Sequence, residues 1–247
     1  MASAVEVNVP SHLKDAVPDI EAMFKVVMAA SSTKSGYVEV EGRFGQADTG
    51  GFNCGVTATF MDACLQRMET FSDWKQVTPW TLTYDFFHND KHGVAMRTTR
   101  ECTGGKISMV HLRKTALQQH QLVIEETSDN SPSHVRVGIS SEEPVAPEDM
   151  PDIVTPTYVR RKIRKSFSVE HWTFDFTKTW SGKSKAEVDQ VFMNGEEPVY
   201  EMEIEILNIA DYFRLPHHSS MYVAISLLLK ICDMLPHKNP RLRTITY

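Results

Sequence analysis

Cysteine is scarce in this 247-residue chain. Cys54, Cys64, Cys102 and Cys232 stand so far apart that they offer neither a zinc-binding pair nor a disulfide framework. Positions 60, 70, 108 and 238, six residues after each, hold Phe60, Thr70, Ser108 and Lys238. The Cys-and-Arg loop of a cysteine phosphatase is therefore excluded. A phosphate-binding P-loop is missing too, because Gly104-Gly105-Lys106 lacks both the preceding glycine and the residues that should follow. Basic excess is absent: 26 Lys and Arg against 32 Asp and Glu leave a net charge of −6. A long nucleic-acid footprint is excluded by that balance, so any contact with a polyanion must be short and local. The longest apolar run, Met221 to Leu235, contains Lys230 and Asp233 and is too short to span a bilayer. The opening residues Met1-Ala2-Ser3-Ala4-Val5-Glu6 carry no signal-peptide pattern, so a soluble intracellular chain in a reducing compartment is expected.

What is present is enough apolar residue for a large core, at 41% of the chain. Helical spacing places Ile20, Met23, Phe24, Val27 and Met28 on one face of a segment from Pro18 to Ala30. Cys54 to Phe71 and Ser219 to Leu235 read as two more helices, the last with a serine N-cap and Pro236 beyond its end. Between them run short alternating segments at 37–44, 80–87, 93–100, 106–113, 120–126, 134–142, 158–167, 171–180 and 199–207. Turn signals separate many of them. Asn194-Gly195 predicts a hairpin or tight turn between 188–193 and 198–207. The expected architecture is mainly β (α+β), with residues 1–30 as a lead-in and helix and 31–247 as one antiparallel β domain.

Side chains two apart on a strand share a face. By that parity Glu39, Glu41 and Arg43 oppose Val38, Val40 and Phe44. Arg136, Ser140 and Glu142 oppose Val135, Val137 and Ile139. Arg160, Lys162, Arg164 and Ser166 oppose Val159, Ile163 and Phe167, with Arg161 and Lys165 mixed into the apolar side. Thr173, Asp175 and Thr177 oppose Trp172, Phe174 and Phe176, and Glu201, Glu203 and Glu205 oppose Met202, Ile204 and Ile206. Any one strand of this kind reads as a solvated sheet face. Here the charges are sorted, carboxylates on two strands and cations on another, with like charges aligned and nothing local to relieve them. Such faces make sense when they point at each other across a barrel interior, where the acidic side needs a cation and the basic side an anion. Carboxylates without Cys or His beside them suit Mg2+ or Mn2+.

In this order, Glu39-Val40-Glu41-Gly42-Arg43-Phe44-Gly45, Arg160-x-Lys162-x-Arg164-x-Ser166, Asp175-x-Thr177 and Glu201-x-Glu203-x-Glu205 resemble the strand motifs of the triphosphate tunnel metalloenzymes. Within that superfamily they are most similar to the fungal and protozoan RNA 5′-triphosphatases of mRNA capping, and the compact size suits a kinetoplastid member. The resemblance covers about residues 37 to 207. It implies an eight-stranded antiparallel β-barrel tunnel with a charged interior, covered by a few α-helices. It implies Glu39, Glu41 and Glu205 as metal ligands, with Glu203 and Glu201 in support. It implies Arg97, Arg160, Lys162 and Arg164 on the phosphates, Glu142 orienting the attacking water, and Asp175 fixing neighbouring basic side chains. Arg43, Arg136 and Thr177 complete the expected lining. Where the family carries a basic residue two before the aspartate, this chain has Thr173. On 106–114 the inward cation is either Arg113 or Lys114; parity with Val110 and Leu112 favours Arg113, and a bulge would reverse that.

The implied activity is removal of the γ-phosphate from 5′-triphosphate RNA with Mg2+ or Mn2+, the first step of cap formation. A nuclear location follows from that role, as do nucleoside triphosphates as further substrates with Mn2+ and a guanylyltransferase as partner. No membrane contact is expected, and a monomer is the default. A tunnel hydrolase of inorganic tripolyphosphate or a small organic triphosphate would show the same inward charges. So would a barrel that binds polyphosphate without turnover.

Overall fold

The computed structural model describes residues 8–31, 37–49, 51–103, 106–125, 132–151, 155–236 and 240–245. Among the described residues eleven strands run in chain order: β1 (Tyr37–Asp48), β2 (Gly51–Asn53), β3 (Gln76–Val77), β4 (Thr81–Asn89), β5 (Ala95–Thr103), β6 (Lys106–Glu125), β7 (His134–Pro144), β8 (Tyr158–Val169), β9 (Trp172–Gly182), β10 (Val199–Ile206) and β11 (Arg241–Thr244). The helices are α1 (Val17–Ser31), α2 (Ala58–Thr70), α3 (Lys185–Met193), α4 (Ile209–Tyr212) and α5 (Ser220–Met234). Eight of the strands pair antiparallel in the order β1-β7-β6-β5-β4-β8-β9-β10, and β10 pairs back onto β1. The sheet is therefore a closed barrel, which leaves these eight strands no free long edge.

Its apolar side faces outward. Val40 and Phe44 of β1, Val135 and Val137 of β7, Phe174 and Phe176 of β9, and Ile204 and Ile206 of β10 are almost fully buried. They form one core with Ile20, Met23, Phe24 and Val27 of α1 and Val223, Leu227, Leu228 and Ile231 of α5. The helical stripes read from the sequence thus pack on the outside of the barrel wall, which frees its inside for charge. Leu13 and Ala16 are wholly buried in the same core, so the described part of the lead-in packs on the barrel, while residues 1–7 lie outside the described residues.

Two further expectations are corrected. Residues 106–113 and 120–125, the described part of 120–126, belong to one strand, β6, in which the register with β7 shifts between Ala116 and Gln118. This bulge exchanges the two faces: Lys114 points into the barrel, whereas Leu122 and Ile124, of the same parity, lie in the outer core. Residues 188–193 form part of α3, not a hairpin strand. Ser184 caps that helix by accepting from the Glu187 N–H, and Asn194-Gly195 ends it, with Gly195 at φ +73°. Arg161, mixed into the outer face of β8, finds its partners on that helix: it pairs with Asp189 at 3.0 Å and lies 3.8 Å from the Phe192 ring centroid.

Gly45 is required where β1 turns back along β2, because a Cβ there would come within 2.0 Å of the Asn53 carbonyl oxygen. Truncation of the outer core should be costly. Phe176→Ala, at a fully buried ring, should lose about 3–5 kcal/mol in denaturant unfolding. Met193→Ala, at a side chain 79% exposed, should stay within about 0.5 kcal/mol of the parent.

Candidate functional site

The barrel encloses a cavity of about 400 Å³ whose lining carries both charges. Glu39, Glu41 and Arg43 come from β1, Arg97 and Glu101 from β5, Lys114 from β6, and Glu142 from β7. Arg160, Lys162 and Arg164 come from β8, and Glu203 and Glu205 from β10. A second chamber of about 310 Å³ adjoins it and shares Glu41, Arg43, Arg97, Lys114 and Arg160, so the two form one passage.

Strand pairing sets the relative heights. Glu41 lies directly opposite Glu205 and Arg43 opposite Glu203 across β1 and β10. On the other flank of β1, Glu39 faces Ser140 and Arg43 faces Arg136. The basic triplet lies on β8, which is separated from β1 by two strands on one side and four on the other. Carboxylates and cations that parity alone sorts by strand are thereby brought round one lumen.

Within it the charges answer one another. Arg43 donates to Glu41 at 2.9 Å and lies 3.2 Å from Glu203. Arg164 bridges Asp175 at 2.5 Å and Glu203 at 3.2 Å, while its Nε donates to Thr177 at 3.0 Å. Arg160 pairs with Glu201, which also accepts from Thr179 at 3.1 Å. Arg97 lies 3.3 Å from Glu142. Lys114 is bound to Glu39 and stands 3.5 Å from Glu41 and 3.9 Å from Glu142. Tyr37 donates to Glu205 at 3.2 Å and Ser140 to Glu39 at 2.9 Å.

Proton affinities follow from this web. Burial raises the Glu205 carboxyl to about 8, reinforced by the neighbouring Glu39 and Asp175. Glu142 is raised by burial and by Glu39, more than Arg97 and Lys114 lower it. Glu203 shares the burial, yet Arg43, Arg164 and Lys162 overcome it and hold its carboxyl well below the usual range. Two neighbouring carboxyls of one strand are thus driven apart by their partners.

Most of the expected site residues line or brace this cavity, and Arg113 does not. It points out of the barrel, bound to Asp90 at 2.6 Å and to Asp149 at 3.4 Å, while Lys114 takes the inward place. The inference from Val110 and Leu112 is corrected, since those two share the lumen side with Lys114. Arg136 lines the second chamber, and Asp175, Thr177 and Glu201 stand behind the cations that they hold. Asp85 was missed. It is 1% exposed, pairs with Lys162 at 2.6 Å and accepts from Thr99 at 2.7 Å. The signal was available, because Asp85 shares parity with Thr81 and Thr83 on the segment 80–87. Thr173 supplies no substitute for the absent basic residue, its hydroxyl being paired with Ser168 at 3.0 Å.

Glu39, Glu41 and Glu205 present only oxygen donors, the chemistry of a hard divalent cation. Among the described residues no three acidic, His or Cys side chains already stand together as a ligand shell. The Lys114 ammonium lies against Glu39 and near Glu41, where a cation would be drawn. The donor set fits such an ion in kind, with Lys114 as the resident positive charge.

No protein-family model matches the sequence, and no curated protein does. Solved structures do match. The S. pombe Pct1 RNA triphosphatase superposes with a TM-score of 0.67 at 17% identity, covering 94% of this chain and 96% of that one. The same protein in complex with the Spt5 CTD gives 0.65 at 16% identity over 94% and 96%. The RNA triphosphatase domain of a mimivirus mRNA capping enzyme gives 0.55 at 12% identity, covering 93% and 99%. The fold is the tunnel fold of these RNA triphosphatases. Among the described residues no helix is long and apolar enough to cross a membrane.

Two predictions follow from the charge web. Between the ordinary glutamate range and about 8, the folded chain retains at Glu205 a proton that the unfolded chain has lost. Its contribution to stability therefore falls as pH rises through that window and is least above it. In chelator, thermal unfolding of Glu205→Gln should show a shallower loss of stability between those pH values than the parent. Asp85→Ala should cost about 3–5 kcal/mol by leaving the buried Lys162 ammonium without its partner, measured by denaturant unfolding.

Proposed function

We propose that this chain is a divalent-metal-dependent RNA 5′-triphosphatase, which hydrolyses the γ-phosphate of 5′-triphosphate RNA to leave a 5′-diphosphate end for capping. The observation that carries this reading is one enclosed lumen lined by Glu39, Glu41 and Glu205 and also by Arg160, Lys162 and Arg164. A metal–triphosphate complex supplies the cation and the anion that such a lining needs. The fold shared with RNA triphosphatases supports the same choice.

Glu39, Glu41 and Glu205 would hold Mg2+ or Mn2+. When bound, the cation draws charge from the phosphoryl oxygens and offsets the negative charge that grows in the transition state. Phosphoryl transfer passes through a loose transition state, so the protein's own work is positioning and charge stabilisation. Arg160, Lys162 and Arg164 neutralise the departing diphosphate end. Arg97 and Lys114 lie beside Glu142, and in this reading they hold the γ-phosphate against it. Glu142, with its proton affinity raised by burial, orients the attacking water and accepts a proton from it. The water oxygen bonds to the γ-phosphorus, the bond from that phosphorus to the bridging oxygen breaks, and orthophosphate leaves. Asp175 and Glu203 fix Arg164, and Glu201 fixes Arg160, so that the cations stay spread along the lumen.

The test is release of labelled γ-phosphate from triphosphate-ended RNA. Release should require Mg2+ or Mn2+ and be abolished by chelator. Glu39→Ala and Glu41→Ala should each lower kcat/KM by at least about a hundredfold, or about 2.7 kcal/mol of transition-state stabilisation. No release with any divalent metal would reject the reading.

A further inference from the structure

The two chambers of the passage differ in charge. In the larger one, carboxylates and cations are present in equal number. In the smaller one, Arg43, Arg97, Lys114, Arg136 and Arg160 face Glu41 alone. The strand register puts this basic chamber at the end of the barrel where Arg43 faces Arg136. The other end carries Glu39, Glu142 and Glu205, beside Tyr37, with Lys114 set between Glu39 and Glu142. An anionic strand is drawn to the first opening and repelled from the second, and low-dielectric walls strengthen the contrast.

The basic opening also carries groups suited to nucleotides. Phe87 lines the chamber, and its ring packs against Tyr158, 5.7 Å between centroids, with Tyr158 43% exposed. Arg136 lies over the Phe52 ring at 4.9 Å. Gln118 and Gln119, adjacent in sequence, both line the chamber because the β6 bulge falls beside them. Aromatic faces stack on bases, arginine reads phosphate, and side-chain amides pair with base edges. A bare phosphate chain needs only the arginines.

We propose that single-stranded RNA enters through this opening, so that Phe87, Tyr158, Gln118, Gln119 and Arg136 grip its first nucleotides while the triphosphate reaches inward to Lys162 and the β1 carboxylates. The proposal rests on the RNA-triphosphatase reading and adds the direction of entry and the surface that separates RNA from inorganic polyphosphate.

The test uses the full chain. An RNA ending in a β,γ-imidotriphosphate and carrying 4-thiouridine at its second nucleotide is photocrosslinked, and the labelled peptides are mapped. Crosslinks are expected around Phe87, Gln118 and Tyr158. Crosslinks confined to 75–81 or 166–173, at the acidic end, would overturn the proposal. In parallel, Tyr158→Ala and Gln118→Ala should raise KM for triphosphate RNA about fivefold or more through lost stacking and base contacts. Neither should change kcat/KM for tripolyphosphate by more than about twofold. Equal effects on both substrates, or none on RNA, would remove this surface from recognition. A parent protein that hydrolyses neither substrate defeats the functional reading itself, a result distinct from either of those.

Discussion

The structure depends on mutual neutralisation of charges inside a closed β-barrel. A dozen strongly polar side chains on a lumen wall would repel and desolvate one another unless each met a partner of opposite sign. The wall meets that need by topology. Antiparallel closure of β10 onto β1 sets Arg43 against Glu203, and the order β8-β9-β10 sets Arg164 within reach of both Asp175 and Glu203. The helices follow from the same constraint. With the lumen given over to charge, the apolar faces of the strands must be covered from outside, and α1 and α5 cover them.

The neutralisation is uneven, and the unevenness carries the chemistry. Glu203 sits among four cations and stays ionised, whereas Glu205, two residues along the same strand, sits among carboxylates and is driven up to about 8. Lys114 lies among three carboxylates, Glu39 and Glu41 of β1 and Glu142 of β7. A surplus of carboxylate at one end and of guanidinium at the other gives the passage a polarity that suits the proposed substrate, a metal-bound terminal phosphate with RNA behind it. Such an arrangement costs stability while the lumen is empty, as strained and charged functional sites commonly do.

Much of this was legible from strand parity. Glu39-x-Glu41, the Arg160-x-Lys162-x-Arg164 run and Glu201-x-Glu203-x-Glu205 each declare one charged and one apolar face, and period two fixes which residues share a side. Where parity was broken by tertiary structure, it misled. Leu112 and Val110 look like outward residues, yet they share the lumen side with Lys114, and Arg113 is drawn out by Asp90 and Asp149, 23 and 36 residues away in sequence. Asn194-Gly195 has the composition of a hairpin turn and serves instead to end α3, because Val188 is buried against Tyr84, Val159 and Trp180.

The sequence by itself determined which strands are amphipathic, which of their faces is charged, and that the carboxylates and the cations belong to different strands. These are local properties, set by the alternation of the pleated chain. Only the tertiary structure decided that those faces enclose a lumen, that Asp85 is the partner of Lys162, that a bulge in β6 exchanges its two sides, and that one opening is basic. Each of these depends on strand order and register, in which residues distant in the chain become neighbours, and the period of a single strand carries no record of its neighbour.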